Sequence, residues 1–174
     1  LNQVIEHWYG DLFGDYGKEL SVIHGARNRF RYLVWRHLRT IGEWPDLCRL
    51  IFTDVRAQPG YARSPLHKMN SKYTGLFVDV VREGVRSGEF RAGLPLELVR
   101  DLVYGGIEHH AWNYLYGNGA LEPERSADLL TDLICGGLEA GRADAAGGTR
   151  AQFGELAERL ESVAKTLRMA ADGS

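Results

Sequence analysis

Glu108, His109 and His110 stand in a row, the densest grouping in the chain of side chains able to move protons or ligate a metal. The surrounding pattern is helical, and successive helical residues point about 100° apart. Two neighbouring imidazoles therefore do not face one ion, because ligand pairs on a helix sit three or four residues apart. His24, His37 and His67 could join them only through the fold. No metal site is expected. Glu108 and His110 remain an enzymatic alternative as a general acid/base pair. Serine-nucleophile elbow, phosphate-cradling glycine loop and His-Glu-x-x-His sequences are all missing, so no catalytic residue and no cofactor are expected. Cys48 and Cys135 both lie inside apolar helical patterns, which reads as two buried thiols rather than a disulfide.

A different chemistry comes from the aromatic rings. Phe30, Tyr73, Phe77, Tyr104, Trp112 and Tyr114 fall on inward faces, mixed with His37, His110 and Asn113. Such a set can line an apolar pocket with a few orienting polar groups. It can equally fill a core. Both readings stand at this level.

These side chains need elements to hold them. The 174 residues are 44% hydrophobic and 25% charged with a net charge of -2, which fits one globular body with a real core. Without a polybasic segment the chain is not a nucleic-acid surface by bulk electrostatics. Its apolar runs are too short for a membrane span, and no basic-then-apolar leader is visible, so a cytoplasmic protein is expected. The chain starts at Leu1 inside a helical pattern, which suggests the tail of a longer polypeptide.

Apolar spacing is helical nearly throughout, and no stretch alternates long enough for a strand. An all-α bundle of about six antiparallel helices is expected over residues 1–140. A first helix spans roughly 2–16, with Val4, Ile5, Trp8, Leu12 and Phe13 inward. A second runs from Ser21, as N-cap, to Ile41. Pro45 opens a short third helix, and Ser64-Pro65 opens the fourth. Gly88 stops the fourth and Pro95 starts the fifth, with Phe90 tucked under the corner between them. A sixth carries Ala127, Leu130, Ile134 and Leu138. Residues 141–148 read as a linker, and 149–174 as an extension helix striped by Phe153, Leu156, Leu160, Val163 and Leu167. That helix either docks on the body or forms an independent coiled coil.

The fifth helix has two apolar stripes. One holds Leu96, Val99, Val103, Ile107, His110 and Tyr114; the other holds Leu98, Leu102, Gly105, His109, Trp112 and Tyr116. A surface helix needs only one. Gly105 and Gly106 sit mid-helix at a cost of about 1 kcal/mol each against Ala, as do Gly136 and Gly137 in the sixth. The pattern points to a homodimer packed through these two helices about a two-fold axis. A central helix in a monomeric bundle is the other reading.

"RYLVWRHLRTIGEWPDLCRLIFTDVR" and "VREGVRSGEFRAGLPLELVRDLVYGGIEHHAWNYLYG" resemble the ligand-binding and dimerisation domain of the tetracycline-repressor (TetR/AcrR) family of transcriptional regulators. The likeness covers residues 1 to about 139. It implies a domain that pairs through its last two helices and admits a small, largely apolar effector between the second, fourth and fifth. Carried onto this chain, it implies ligand-lining roles for Phe30, Val34, His37, Tyr73, Phe77, Val80, Val103, Ile107, His110 and Tyr114. Helical phase leaves Tyr104 and Glu108 able to trade places with these. The implied dimer residues are Leu102, Gly105, His109, Trp112, Tyr116, Leu129, Leu133 and Gly136. "YGGIEH" resembles members that respond to long acyl chains or acyl-coenzyme A. Operator DNA is reached in this family through an N-terminal helix-turn-helix, which these residues lack, so the chain itself is not expected to bind DNA. A small helical enzyme and a ligand-free dimerisation scaffold are the alternatives.

Overall fold

The computed structural model describes residues 2–139, without the side chains at 2 and 13–15. The expected linker and extension helix lie outside the described residues. Within them the chain is helical: α1 (Asn2–Ser21), α2 (Ala26–Glu43), α3 (Pro45–Leu50), α4 (Pro65–Ser87), α5 (Leu96–Leu115) and α6 (Pro123–Leu138). A π-helical turn, Ile51–Val55, continues α3, and a 3-10 turn, Tyr61–Arg63, precedes α4. The described residues contain no strand, only an isolated bridge between Phe90 and Glu139.

Helix α2 is the spine, packing on α6, α4, α5 and α3, while α1 lies on α4. Its apolar side, Phe30, Leu33, Val34, Leu38 and Ile41, is buried. Its polar side is basic and meets acids on α6 and at its C-cap: Arg27 with Asp132 and the capping Glu139, and Arg31 with Asp128. These exposed pairs orient the two helices more than they stabilise them.

The end of α1 and the start of α2 differ from expectation. α1 runs on to Ser21, whose hydroxyl donates to Lys18 O at 2.7 Å instead of capping α2. Its buried stripe is Ile5, Tyr9, Leu12 and Tyr16, while Val4 is exposed. α2 begins only after Gly25, whose φ of 85° a side chain would disfavour. Its cap comes from far along the chain. The Glu89 carboxylate accepts from Ala26 N at 3.0 and 2.9 Å, and these bonds hold it below the usual carboxylate range.

That contact accounts for the break between α4 and α5. Ser64 Oγ accepts from His67 N and starts α4; Gly88, at φ 80°, ends it. The chain then turns so that Glu89 reaches α2 and Phe90 is buried. Gly84 makes the room: a Cβ there would lie 2.2 Å from the Phe90 ring and 2.8 Å from Ala26 Cβ. Arg91 N donates to Leu138 O at 2.8 Å, tying the corner to the end of α6.

Candidate functional site: an aromatic interior beneath a polar basin

Phe30, Val34 and His37 from α2, Tyr73, Phe77 and Val80 from α4, and Val103 and Ile107 from α5 all reach one buried cluster. His37 is the polar member of this set. The rings pack edge-on: Phe30 against Phe77 with centroids 4.7 Å apart, and His37 against Tyr104 at 4.9 Å. Tyr104 also meets Tyr73 and Phe77.

His110 does not join this interior, and Tyr114 packs against the core only as a half-buried residue. His110 is exposed, with Nε2 2.9 Å from Ser126 Oγ on α6. Tyr114 is half-buried and donates to Gly42 O at 3.3 Å, near the end of α2. Tyr104 is the buried ring that α5 contributes to this interior, a role that helical phase left open to it. Glu108 faces Arg56, just after the π-helical turn, and not His110. It receives both its bonds from Arg56 Nη1, at 2.8 and 2.9 Å. Glu108 and His110 therefore contact different elements, and the geometry of an acid/base pair is not formed. Cys48 and Cys135 are both free and buried, and burial pushes each thiol up to about 12.

The interior opens on one side. Between the π-helical turn, α4 and α5 lies a basin of about 520 Å³, bounded by Arg56, His67, Asn70, Arg100, Tyr104 and Glu108. Asn70 Oδ1 receives Tyr9 Oη at 3.1 Å, and Arg56 Nη2 lies 3.4 Å from the same oxygen. Arg56 and Asn70 also border a narrow cleft of about 20 Å³ that leads inward to Trp8, His37, Cys48 and Tyr73. They form the neck between polar basin and aromatic interior. Arg56, Asn70 and Arg100 escaped the sequence reading, because single polar residues in helical patterns look solvated.

Electrostatics at the neck keep the interior uncharged. Desolvation, and then the Arg56 charge, push His37 down to about 3, so its imidazole is neutral. Burial pushes the phenols of Tyr9, Tyr73 and Tyr104 up. Arg56 stays charged: burial opposes its charge, but the Glu108 carboxylate together with Tyr9 and Tyr61 raises it on balance.

The expected dimer residues face the other way. Leu102, Gly105, His109, Trp112, Tyr116, Leu129 and Leu133 are exposed on α5 and α6, and Gly136 is half-buried. A Cβ on Gly105, Gly106 or Gly137 would meet nothing within 4 Å. Among the described residues no element uses the space these glycines leave. An apolar groove of about 320 Å³ runs beside them between Leu98 and Leu102 on α5 and Ile134 and Gly137 on α6.

Comparison with known proteins shows the following likenesses. Residues 24–138 match the model of the tetracyclin repressor-like C-terminal domain. The fatty acid metabolism regulator protein of Bacillus subtilis (strain 168) is 18% identical over 138 residues, which cover 79% of this chain and 67% of that protein. The crystal structure of the Bacillus subtilis transcriptional regulator FadR in complex with stearoyl-CoA superposes with a TM-score of 0.69 at 14% identity. It covers 79% of this chain and 74% of the other.

Proposed function

The chain belongs to the tetracyclin repressor-like C-terminal domain family, and on that footing we propose that it is the effector-sensing and pairing domain of a one-component repressor, with a long-chain acyl group, free or as acyl-coenzyme A, as its effector. The observation that carries the reading is the neck at Arg56 and Asn70, where an aromatic interior meets a polar basin. That junction suits a ligand with an apolar tail and a large polar head. Likeness to a regulator solved with stearoyl-CoA supports the same class.

The ligand-lining set becomes Phe30, Val34, His37, Tyr73, Phe77, Val80, Tyr104, Val103 and Ile107. The tail enters where these rings now touch, so binding must part them. A ligand that binds only the parted state shifts a two-state equilibrium by its unequal affinity for the two. Helix α1, which borders the neck through Trp8 and Tyr9, transmits the shift to a helix-turn-helix module and alters the spacing of its operator contacts. The exposed apolar face of α5 and α6 pairs with a second copy. The protein works in the cytoplasm and performs no catalysis; among the described residues no helix is long and apolar enough to cross a membrane.

The tight interior favours one other reading, a pairing scaffold without ligand. Thermal unfolding with a series of acyl-coenzyme A esters separates the two. A true effector at 100 times its dissociation constant adds roughly 2.7 kcal/mol. No shift at any chain length would leave the scaffold reading.

A further inference from the structure

The narrow cleft behind the neck has three residues in its wall whose buried nitrogen lacks a partner: Trp8 Nε1 on α1, His37 Nε2 on α2 and Arg56 Nε after the π-helical turn. An apolar tail does not require them. Native interiors rarely leave even one such group unmet. Indole and guanidinium N–H groups can only donate. The terminal nitrogens of Arg56 are engaged outward, Nη1 by Glu108 and Nη2 by Asn70, while Nε is not. His37 is neutral, and its Nδ1 lies 2.8 Å from Tyr73 Oη, which lies 3.0 Å from Tyr16 Oη. The chain in which Tyr16 donates to Tyr73 and Tyr73 to Nδ1 is the one that places the imidazole proton on Nε2 and makes it a third donor, and the seat described here requires that tautomer.

The cleft, at about 20 Å³, holds one oxygen-sized atom. We propose that it seats the carbonyl or carboxylate oxygen of an acyl ligand, with Trp8 Nε1, Arg56 Nε and His37 Nε2 donating to it. This rests on the acyl-effector reading and adds a polar anchor to it. The anchor sits where the tail would leave the ring cluster and the head would enter the basin. It makes the domain read the functional group at the end of the chain as well as the chain's length.

The test uses the 174-residue chain and three probes titrated by calorimetry: stearoyl-coenzyme A, stearate, and S-octadecyl-coenzyme A, a thioether in which a methylene replaces the carbonyl. The thioester is expected to bind about tenfold more tightly than the thioether, the worth of one net hydrogen bond. Trp8→Phe, which keeps a ring but no N–H, is expected to weaken the acyl ligands several-fold and leave the thioether unchanged. Loss confined to stearate or to the thioester identifies which acyl source the seat takes. Equal affinity of wild type for thioester and thioether, or an equal loss of both in Trp8→Phe, overturns the proposal and leaves the cleft a seat for a lone water. The wild-type comparison needs no variant, so a misfolded Trp8→Phe does not weaken it. If none of the three binds, the acyl-effector reading falls as well.

Discussion

Helix α5 presents two apolar faces with opposite fates. On the inner face, Val99, Val103, Ile107, Ala111 and Leu115 are at most 6% exposed. On the outer face, Leu98, Leu102, Trp112 and Tyr116 are 44% to 62% exposed, and Leu129 and Leu133 on α6 extend that surface. Periodicity marks both faces as wanting cover, but it does not say what supplies it. The inner face is covered by α2 and α4 of the same chain. The outer face carries glycines against which no described element packs, and residues without a side chain permit close approach by another helix. A patch of this kind on a small domain marks an interaction surface.

The contrast can be broken with substitutions. Ile107→Ala should cost about 3 kcal/mol of folding stability in denaturant titrations, the usual range for emptying a packed site. Leu102→Ala, one and a half turns away on the outer face, should change the folding of the dilute chain by only about 0.5 kcal/mol. Similar costs at the two positions would erase the distinction. Trp112→Arg is expected to weaken pairing by about 2 kcal/mol, the scale of a central interface aromatic, seen by sedimentation as dissociation at higher concentration. A variant that stays paired at high dilution removes Trp112 from the seam. Gly105→Ala gives a subtler result: the isolated chain gains up to about 1 kcal/mol of helix stability, while pairing weakens. Pairing that strengthens instead would mean the helices never come close there.

The smallest effect belongs to the corner that orients α5. Glu89 is held below its ordinary range by the backbone N–H of Ala26, so its contribution is present above the unfolded carboxylate value and is lost as pH falls through the folded one. Glu89→Gln should lower stability at neutral pH by about 0.5 kcal/mol and remove that part of the acid dependence, measured as midpoint shifts between neutral and acidic buffers. An unchanged acid profile would show that the cap does not contribute.

Much of this was legible in one dimension. Ser64-Pro65, Gly88 and Pro95 mark helix ends through capping hydroxyl, left-handed backbone and fixed φ, all of which act within a few residues. The start of α2 was not legible, because Ser21 had the right type and the cap actually arrives from Glu89, 63 residues on. That Tyr104 and not His110 enters the interior has a similar cause: only the packed neighbours decide which side chain of a stripe is covered. The basin depended on Arg56, Asn70 and Arg100, from three separate elements, and none of them carries a local mark of its role.

The sequence by itself determined that the chain is helical, where α4 starts and stops and where α5 begins, and that α5 is apolar on two sides, because propensity, capping and periodicity are properties of neighbouring residues. Only the tertiary structure decided that Glu89 caps α2, that Gly84 yields its space to Phe90, and that Trp8, His37 and Arg56 border one cleft. Those outcomes depend on contacts between residues far apart in the chain, and such contacts exist only once the helices have packed.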